Sequence, residues 1–480
     1  GAIAALAAIS LLIWKESLAP PGNRIAVLPF ANLTGDPSLA YFSDGIAEEL
    51  RAALSRVGLQ VIGRTSSDAV RNMDAKAAAA RLGVDSLLIG SVRRSPRTIR
   101  IDVQLLRGSN GVERWSQSYD RRPGDIISMQ TEIGEDVAKA LSARLGSEAR
   151  NALTAGGTQN AAAQRLVLQA LAAARAGTQR GYQRALQLLD AAITADERYG
   201  DAYARRAYLL EYYAENFASA PPELASYRSR ALSSAKTALA LAPNLSRAHW
   251  ALANYLQGVL DVGPADLEFR KAVELAPGDA DSLSDYALWV LRIGSAREAL
   301  TLADRALALD PLEPDAYRRR FLVLYYRGEF AKALAFTSQV QRDTPELFIW
   351  PVEVGLALIM LNRLDEAQRY LERGPVTYYQ RLLGECVIFI RKGLREQFDS
   401  TFEKFRGLFG DLDNYQYAQV FAQLGDKERA FDSLERALSV HDTGLLWIRV
   451  DPMLVPIRHD PRFMALLQKM NLSAPEHQST

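Results

Sequence analysis

Residues 246–279, SRAHWALANYLQGVLDVGPADLEFRKAVELAPGD, decide the fold. Two helical apolar patterns flank a turn, and the stretch closes on Ala276-Pro277-Gly278-Asp279. Its neighbours keep the same 34-residue step: prolines at Pro243, Pro277, Pro311 and Pro345, alanines at Ala265, Ala299, Ala333 and Ala367, turn residues at Gly294, Gly328 and Asn362. A unit of that length cannot bury its own apolar face, so units stack. Stacked hairpins expose a long concave surface, whose usual use is to hold another chain.

The regular units run over 246–279, 280–313, 314–347 and about 348–373. Earlier hairpins fall at 161–195 and 199–241, the second lengthened around Ala220-Pro221-Pro222. A later pair at 414–440 restores the register with Gly425 and Ala430. The spacing resembles the tetratricopeptide repeat, in which the first helix of each unit lines the concave side. Laid on this register, that motif puts Arg247, Trp250, Asn254 and Gln257 in the groove from one unit. The next unit adds Asp281, Ser284 and Arg292, and the third adds Arg318, Tyr325 and Tyr326. Aromatic, Arg and amide groups of this kind suit an extended peptide or a partner helix. The fourth unit offers Ile349, Val352, Leu356, Ile359 and Met360, an apolar set expected to be buried by the segment that follows.

Upstream, residues 24–150 read as a compact αβ domain. Strands are expected at 24–30, 59–64, 86–94, 98–106 and 112–119, helices at 39–57, 74–82 and 125–150. The order β-α-β-α-β-β-β-α implies a mixed sheet with packed helices. The predicted fold class is therefore an α+β N-terminal domain followed by an all-α repeat solenoid. The domain boundaries are 1–16 partial transmembrane helix, 17–23 linker, 24–150 αβ domain, 151–160 linker, 161–440 repeats, and 441–480 C-terminal cap and tail.

Residues 1–14, GAIAALAAISLLIW, are nearly all apolar. At about 1.5 Å per residue they reach about 21 Å, short of a ~30 Å hydrocarbon core, so they read as the C-terminal part of a membrane helix. Trp14 and Lys15 suit the interface. Over 480 residues the formal net charge is +1, with 24% charged residues, so bulk electrostatics draws the chain to no nucleic acid. The single cysteine, Cys386, excludes an intramolecular disulfide and sits in an apolar run, as a buried thiol does.

No phosphate loop, H-E-x-x-H, C-x-x-C, G-x-S-x-G or G-x-G-x-x-G occurs, so no catalytic residue, metal site or cofactor is predicted. None of the four histidines lies in the αβ domain. His249 reads as a packed imidazole. Arg93, Arg94, Arg97 and Arg100 straddle a hairpin and read as its solvated end. Thr34, Gly35 and Asp36 follow a strand and precede a helix, where backbone N–H groups could hold a small polar ligand or simply make a turn.

RIAVLPFANL at 24–33, Gly35-Asp36-Pro37, YFSDGI at 41–46, Gly90-Ser91-Val92-Arg93 and Trp115 with Tyr119-Asp120-Arg121 resemble the TolB-N-terminal-like domain. Gly444-Leu445-Leu446-Trp447, Asp451-Pro452 and Asp460-Pro461-Arg462-Phe463 are similar to the ending usual in that family. The resemblance implies a bacterial signalling protein, with this region outside the membrane and an output module on the other side. It implies a single-pass protein of the inner membrane with residues 24–480 periplasmic. The expected function is non-enzymatic sensing and scaffolding, through a protein or peptide partner. The alternatives are the regulatory half of a class III adenylate cyclase or of a winged-helix transcription regulator.

Overall fold

The computed structural model describes residues 24–36, 39–95, 97–122, 126–141, 154–218, 221–348, 350–410 and 413–472. The expected membrane helix at 1–16, the linker at 17–23 and the first residues of the 151–160 linker lie outside these. Among the described residues no helix is long and apolar enough to cross a membrane.

The N-terminal sheet is built from β1 (Arg24–Val27), β2 (Ala31–Asn32), β3 (Gln60–Val61), β4 (Ser86–Arg94), β5 (Ile99–Arg107) and β6 (Glu113–Arg121). Its order is β3-β1-β4-β5-β6, and β2 continues the β1 side of β4. The β1, β2 and β3 pairings are parallel, and the β4–β5–β6 meander is antiparallel. Helices cover both faces. Ile46, Leu50 and Leu54 of α1 (Ala40–Arg56) join Met129, Ile133 and Val137 of α4 (Ile126–Ala140) on one face. The other face buries Ala78, Ala79 and Leu82 of α3 (Ala75–Leu82) against Leu87 and Leu106. Asp74 caps α3 by accepting from the Ala77 N–H, and Gly83 ends it in the left-handed conformation. The strand expected at 59–64 is shorter, because Arg64 opens a helix, α2 (Arg64–Ala69), that periodicity did not reveal.

The repeat body pairs α5 (Ala161–Ala174) with α6 (Gln179–Ala195), then α7 (Gly200–Phe217) with α8 (Pro221–Leu241). The regular units follow: α9 (Ser246–Gly258) with α10 (Val262–Leu275), α11 (Ala280–Ile293) with α12 (Ala296–Leu309), and α13 (Pro314–Tyr326) with α14 (Phe330–Asp343). Further pairs are α15 (Pro351–Met360) with α16 (Leu364–Leu371), α17 (Tyr379–Lys392) with α18 (Arg395–Phe409), and α19 (Asn414–Leu424) with α20 (Lys427–Ser439). The sequence period has a physical reading at each position. The four alanines are fully buried where the two helices of a hairpin touch. Gly294, Gly328 and Asn362 take positive φ at the hairpin turn, where the chain must reverse in two or three residues. Leu260 occupies the equivalent turn with φ 61°, a conformation that costs a branched side chain about 1–2 kcal/mol.

The αβ domain is docked on the edge of the solenoid made by the proline-bearing loops. Gly63 N–H donates to the Leu309 carbonyl at 2.7 Å. Asp310 accepts from the Ser66 N–H at 2.9 Å and from its hydroxyl, and the same hydroxyl accepts from the Leu312 N–H at 2.7 Å. A Cβ on Gly63 would stand 2.1 Å from an Asp310 carboxylate oxygen, so only glycine admits this approach. Burial pushes the Asp310 carboxyl up to about 6, while its bonds to Ser66 pull the other way.

Candidate partner-binding face

The first helices of the units present the concave face, and the structure divides it in two. The upstream part lies on α7, α9 and the start of α11, and Tyr182 of α6 joins it. Trp250 stacks on Tyr208 with centroids 4.2 Å apart and planes 19° apart. Tyr208 neighbours Tyr212 at 6.3 Å, and Tyr212 neighbours Tyr182 at 4.8 Å. Four aromatic rings thus form a ladder. Trp250 Nε1 donates to Asp285 at 2.9 Å, and Arg319 pairs with the same carboxylate. Asn254 Nδ2 donates back to the Trp250 carbonyl at 2.9 Å. Arg247 pairs with Asp201 at the head of α7. Asp281 is exposed, and Ser284 is buried behind it. Partial loss of water inside the concavity, with Asp279, Asp310 and Asp285 nearby, pushes the Asp281 carboxyl up to about 8.

The downstream part, at the ends of α11 and α13, meets the chain's own C-terminal segment. The 3-10 turn Thr443–Trp447 lies against α11, α19 and α20, and a second, Pro452–Ile457, lies against α19. Trp447 stacks on Tyr326 at 4.1 Å, and the Arg292 guanidinium lies over the same indole at 4.2 Å. Arg449 donates to the Ile293 carbonyl. Arg292 also donates to Gln257 Oε1 at 2.7 Å, and Arg318 bonds Glu353 at 2.6 Å. Of the ten residues expected in the groove, Arg292 and Tyr326 therefore meet the protein's own C-terminal segment, and Tyr325 is only 4% exposed. The fourth unit's Val352, Leu356 and Ile359 are buried, Leu356 beside Gly384 of α17.

The region expected as a cap does two things. Its first 3-10 turn covers Arg292 and Tyr326, and α21 (Pro461–Lys469) packs on α20 at the end of the stack. There Phe463, Leu466 and Leu467 are buried, Arg462 lies over Phe431 and Lys469 pairs with Glu435.

Sequence reasoning missed Tyr208 and Tyr212. The insertion around Ala220-Pro221-Pro222 places Tyr208 42 rather than 34 positions before Trp250. Allowing for that longer unit would have found it. Trp447 carried no periodic signal.

Elsewhere, Thr34, Gly35 and Asp36 form a self-bonded turn. Asn32 Oδ1 accepts from the Thr34 N–H at 3.1 Å and from its hydroxyl at 2.6 Å. Asn32 Nδ2 donates to the Asp36 carbonyl at 2.9 Å, and Gly35 takes φ 78°. Thr34 borders a cavity of about 80 Å³ beside α5. A larger polar cavity of about 570 Å³ lies where the αβ domain meets the first hairpins, with Glu49, Gln130, Thr158 and Asp201 in its walls. His249 has both ring nitrogens occupied, by Glu268 at 2.6 Å and the Pro243 carbonyl at 2.8 Å. Cys386 is buried, which pushes its thiol up to about 12. Among the described residues no group of His, Cys, Asp and Glu could hold a metal ion.

No protein-family model matches the chain. A protein of Rhizobium meliloti (strain 1021) named "Putative adenylate cyclase 3" is 43% identical over 136 residues, 27% of this chain. That stretch spans 23% of the relative's length. Among solved structures, PilF of Pseudomonas aeruginosa is 22% identical, covering 45% of this chain and 93% of its own, with a TM-score of 0.33. YrrB, described as a TPR protein with an unusual peptide-binding site, is 19% identical, covering 38% and 89%, at 0.28. A tetratricopeptide repeat protein from Parabacteroides merdae ATCC 43184 is 13% identical, covering 56% and 99%, at 0.42. The description of this chain as a tetratricopeptide-like solenoid rests on its own helix pairs, positive-φ turns and proline loops.

Proposed function

We propose that this chain is a non-enzymatic sensing and scaffolding region that holds a protein or peptide partner on the upstream half of its concave face. The aromatic ladder Tyr182–Tyr212–Tyr208–Trp250 carries this reading, because it lines a concavity that the C-terminal turns leave uncovered. Exposed Asp315 beside it, and Asp281, whose carboxyl a bound cation draws back toward its ionised form, favour a segment carrying Lys or Arg together with an apolar side chain. On this reading the 24–150 domain is of the TolB-N-terminal-like kind, and the apolar run at 1–14 anchors the chain in a bacterial inner membrane with residues 24–480 periplasmic. The test is partner recovery on immobilised protein, comparing wild type with Tyr208→Ala/Trp250→Ala/Asp281→Lys. Recovery is expected to fall by about tenfold or more, as it does when central aromatic anchors are removed. Undiminished recovery overturns the assignment.

A second reading is favoured by one observation, the 43% identity to a protein named as an adenylate cyclase. On it the chain is the regulatory part of a nucleotide cyclase. Cyclic-nucleotide formation by the full-length protein, changed by the triple variant above, would support it; an output module with no nucleotide chemistry would remove it.

A further inference from the structure

The polar cavity of about 570 Å³ is walled by three parts of the chain. The αβ domain supplies Glu49 and Arg56 of α1 and Gln130 and Thr131 of α4. The first hairpins supply Gln164 of α5, Asp201 of α7, and Asp196 and Arg198 from the loop between α6 and α7. Residues 154–159, TAGGTQ, complete the wall.

That last segment is held in place. Gly156 takes φ 70°, and its carbonyl accepts from the Asp201 N–H at 2.8 Å. The Thr158 hydroxyl donates to Asp196 and accepts from the Asn160 N–H at 2.9 Å. Asn160 Nδ2 donates to the Ala195 carbonyl at 2.7 Å. A joint between domains with a preformed polar wall is a usual place for a small-molecule site, and the volume lies within the usual range of about 300–1,000 Å³.

The carboxylates of the wall already have partners. Asp201 accepts from Arg205 at 2.6 Å and pairs with Arg247. Glu49 accepts from Arg205 at 2.7 Å. Asp196 accepts from Thr158 and from the Arg198 N–H at 3.0 Å. The groups left over are donors. Gln130 is 9% exposed, its Oε1 accepts from Gln164, and its buried Nε2 has no partner. The exposed Arg198 guanidinium has none among the described residues. Among the same residues, the wall and its ion-paired neighbours place Arg56, Arg198, Arg205 and Arg247 against Glu49, Asp196 and Asp201, an excess of one positive charge. An unmet buried donor and a surplus cation both call for an acceptor-rich anion. The three carboxylates disfavour a guest with several negative charges. Thr131, Thr154, Gln159 and Tyr199 add hydroxyl and amide groups, which suit a hydroxylated guest better than a bare alkyl chain.

We infer that this cavity binds a small hydroxyl-bearing monocarboxylate, with its acid group toward Arg198 and an oxygen accepting from Gln130 Nε2. Such a guest touches the αβ domain and the solenoid together, so its binding strengthens their docking.

Isothermal titration of the 480-residue chain tests this, with gluconate and with sorbitol, which has the same polyol chain without the acid. Gluconate is expected to bind with a Kd of about 1 mM or tighter, and sorbitol at least about tenfold more weakly. Arg198→Ala is expected to weaken gluconate binding about tenfold, and Arg198→Lys, which keeps the charge, to recover most of the loss. Position 198 is exposed, so an unchanged melting temperature accompanies both variants. Gln130→Met, which removes the donor and keeps the charge, is expected to weaken gluconate binding about tenfold. No binding of gluconate up to about 10 mM overturns the inference. So does sorbitol bound as tightly as gluconate, or an affinity that neither Arg198→Ala nor Gln130→Met lowers.

Discussion

The two halves of the concave face share one register and differ in what covers them. Side chains of α6, α7 and α9 form a ladder of aromatic rings, with exposed Asp281 at the start of α11 beside it. At the ends of α11 and α13, Arg292 and Tyr326 are packed under Trp447. A repeat period therefore determines which side chains point inward. It does not determine which of them reach solvent, because that depends on where the rest of the chain runs. A partner that needs open surface is confined to the upstream half.

The strongest way to break the contrast is to uncover the closed half. Trp447→Ala removes the stack on Tyr326 and the cation–π contact with Arg292 together. It is expected to cost about 3 kcal/mol, read as a lower urea midpoint, and to raise the solvent accessibility of Tyr326. An unchanged midpoint would mean that the C-terminal turns lie on the groove without contributing to its stability.

A smaller effect sharpens the description of the open half. Glu211 on α7 is 2% exposed, accepts from Arg228 Nε at 3.0 Å and leaves its second oxygen without a partner. Burial pushes its carboxyl up to about 7, although Arg228 opposes the shift. The folded carboxyl thus holds its proton more tightly than the unfolded one. Its contribution is fully present below about pH 4.5 and is lost as pH rises to about 7. Glu211→Gln is expected to flatten stability between these limits, by on the order of 2 kcal/mol. Urea unfolding at a series of pH values measures it, and an equally steep profile in the variant would assign the dependence to another group.

Much of this was legible in the sequence. Pro243, Pro277, Pro311 and Pro345 marked the loops, and Ala265, Ala299, Ala333 and Ala367 marked the helix contacts, because both positions demand a residue type in every unit. Their periodicity is local physics repeated. Three features were not legible. Tyr208 fell out of register because its unit is longer. Docking of the αβ domain depends on Gly63 and Asp310, which are 247 positions apart and share no pattern. The closure by Trp447 joins residues more than 100 positions distant. Contacts of that kind are made by tertiary packing and leave no period to read.

The division of the concave face is tested most directly by thiol labelling. The native Cys386 is buried and its thiol is pushed up to about 12, so it contributes little background. Asp281→Cys places a thiol in the open half and Tyr326→Cys places one beneath Trp447. With a water-soluble maleimide, the thiol at position 281 is expected to react at least about tenfold faster than the one at 326, as partial unfolding must precede labelling of a covered site. Equal rates, or faster reaction at 326, would contradict a concave face that is open upstream and closed by its own C-terminal turns.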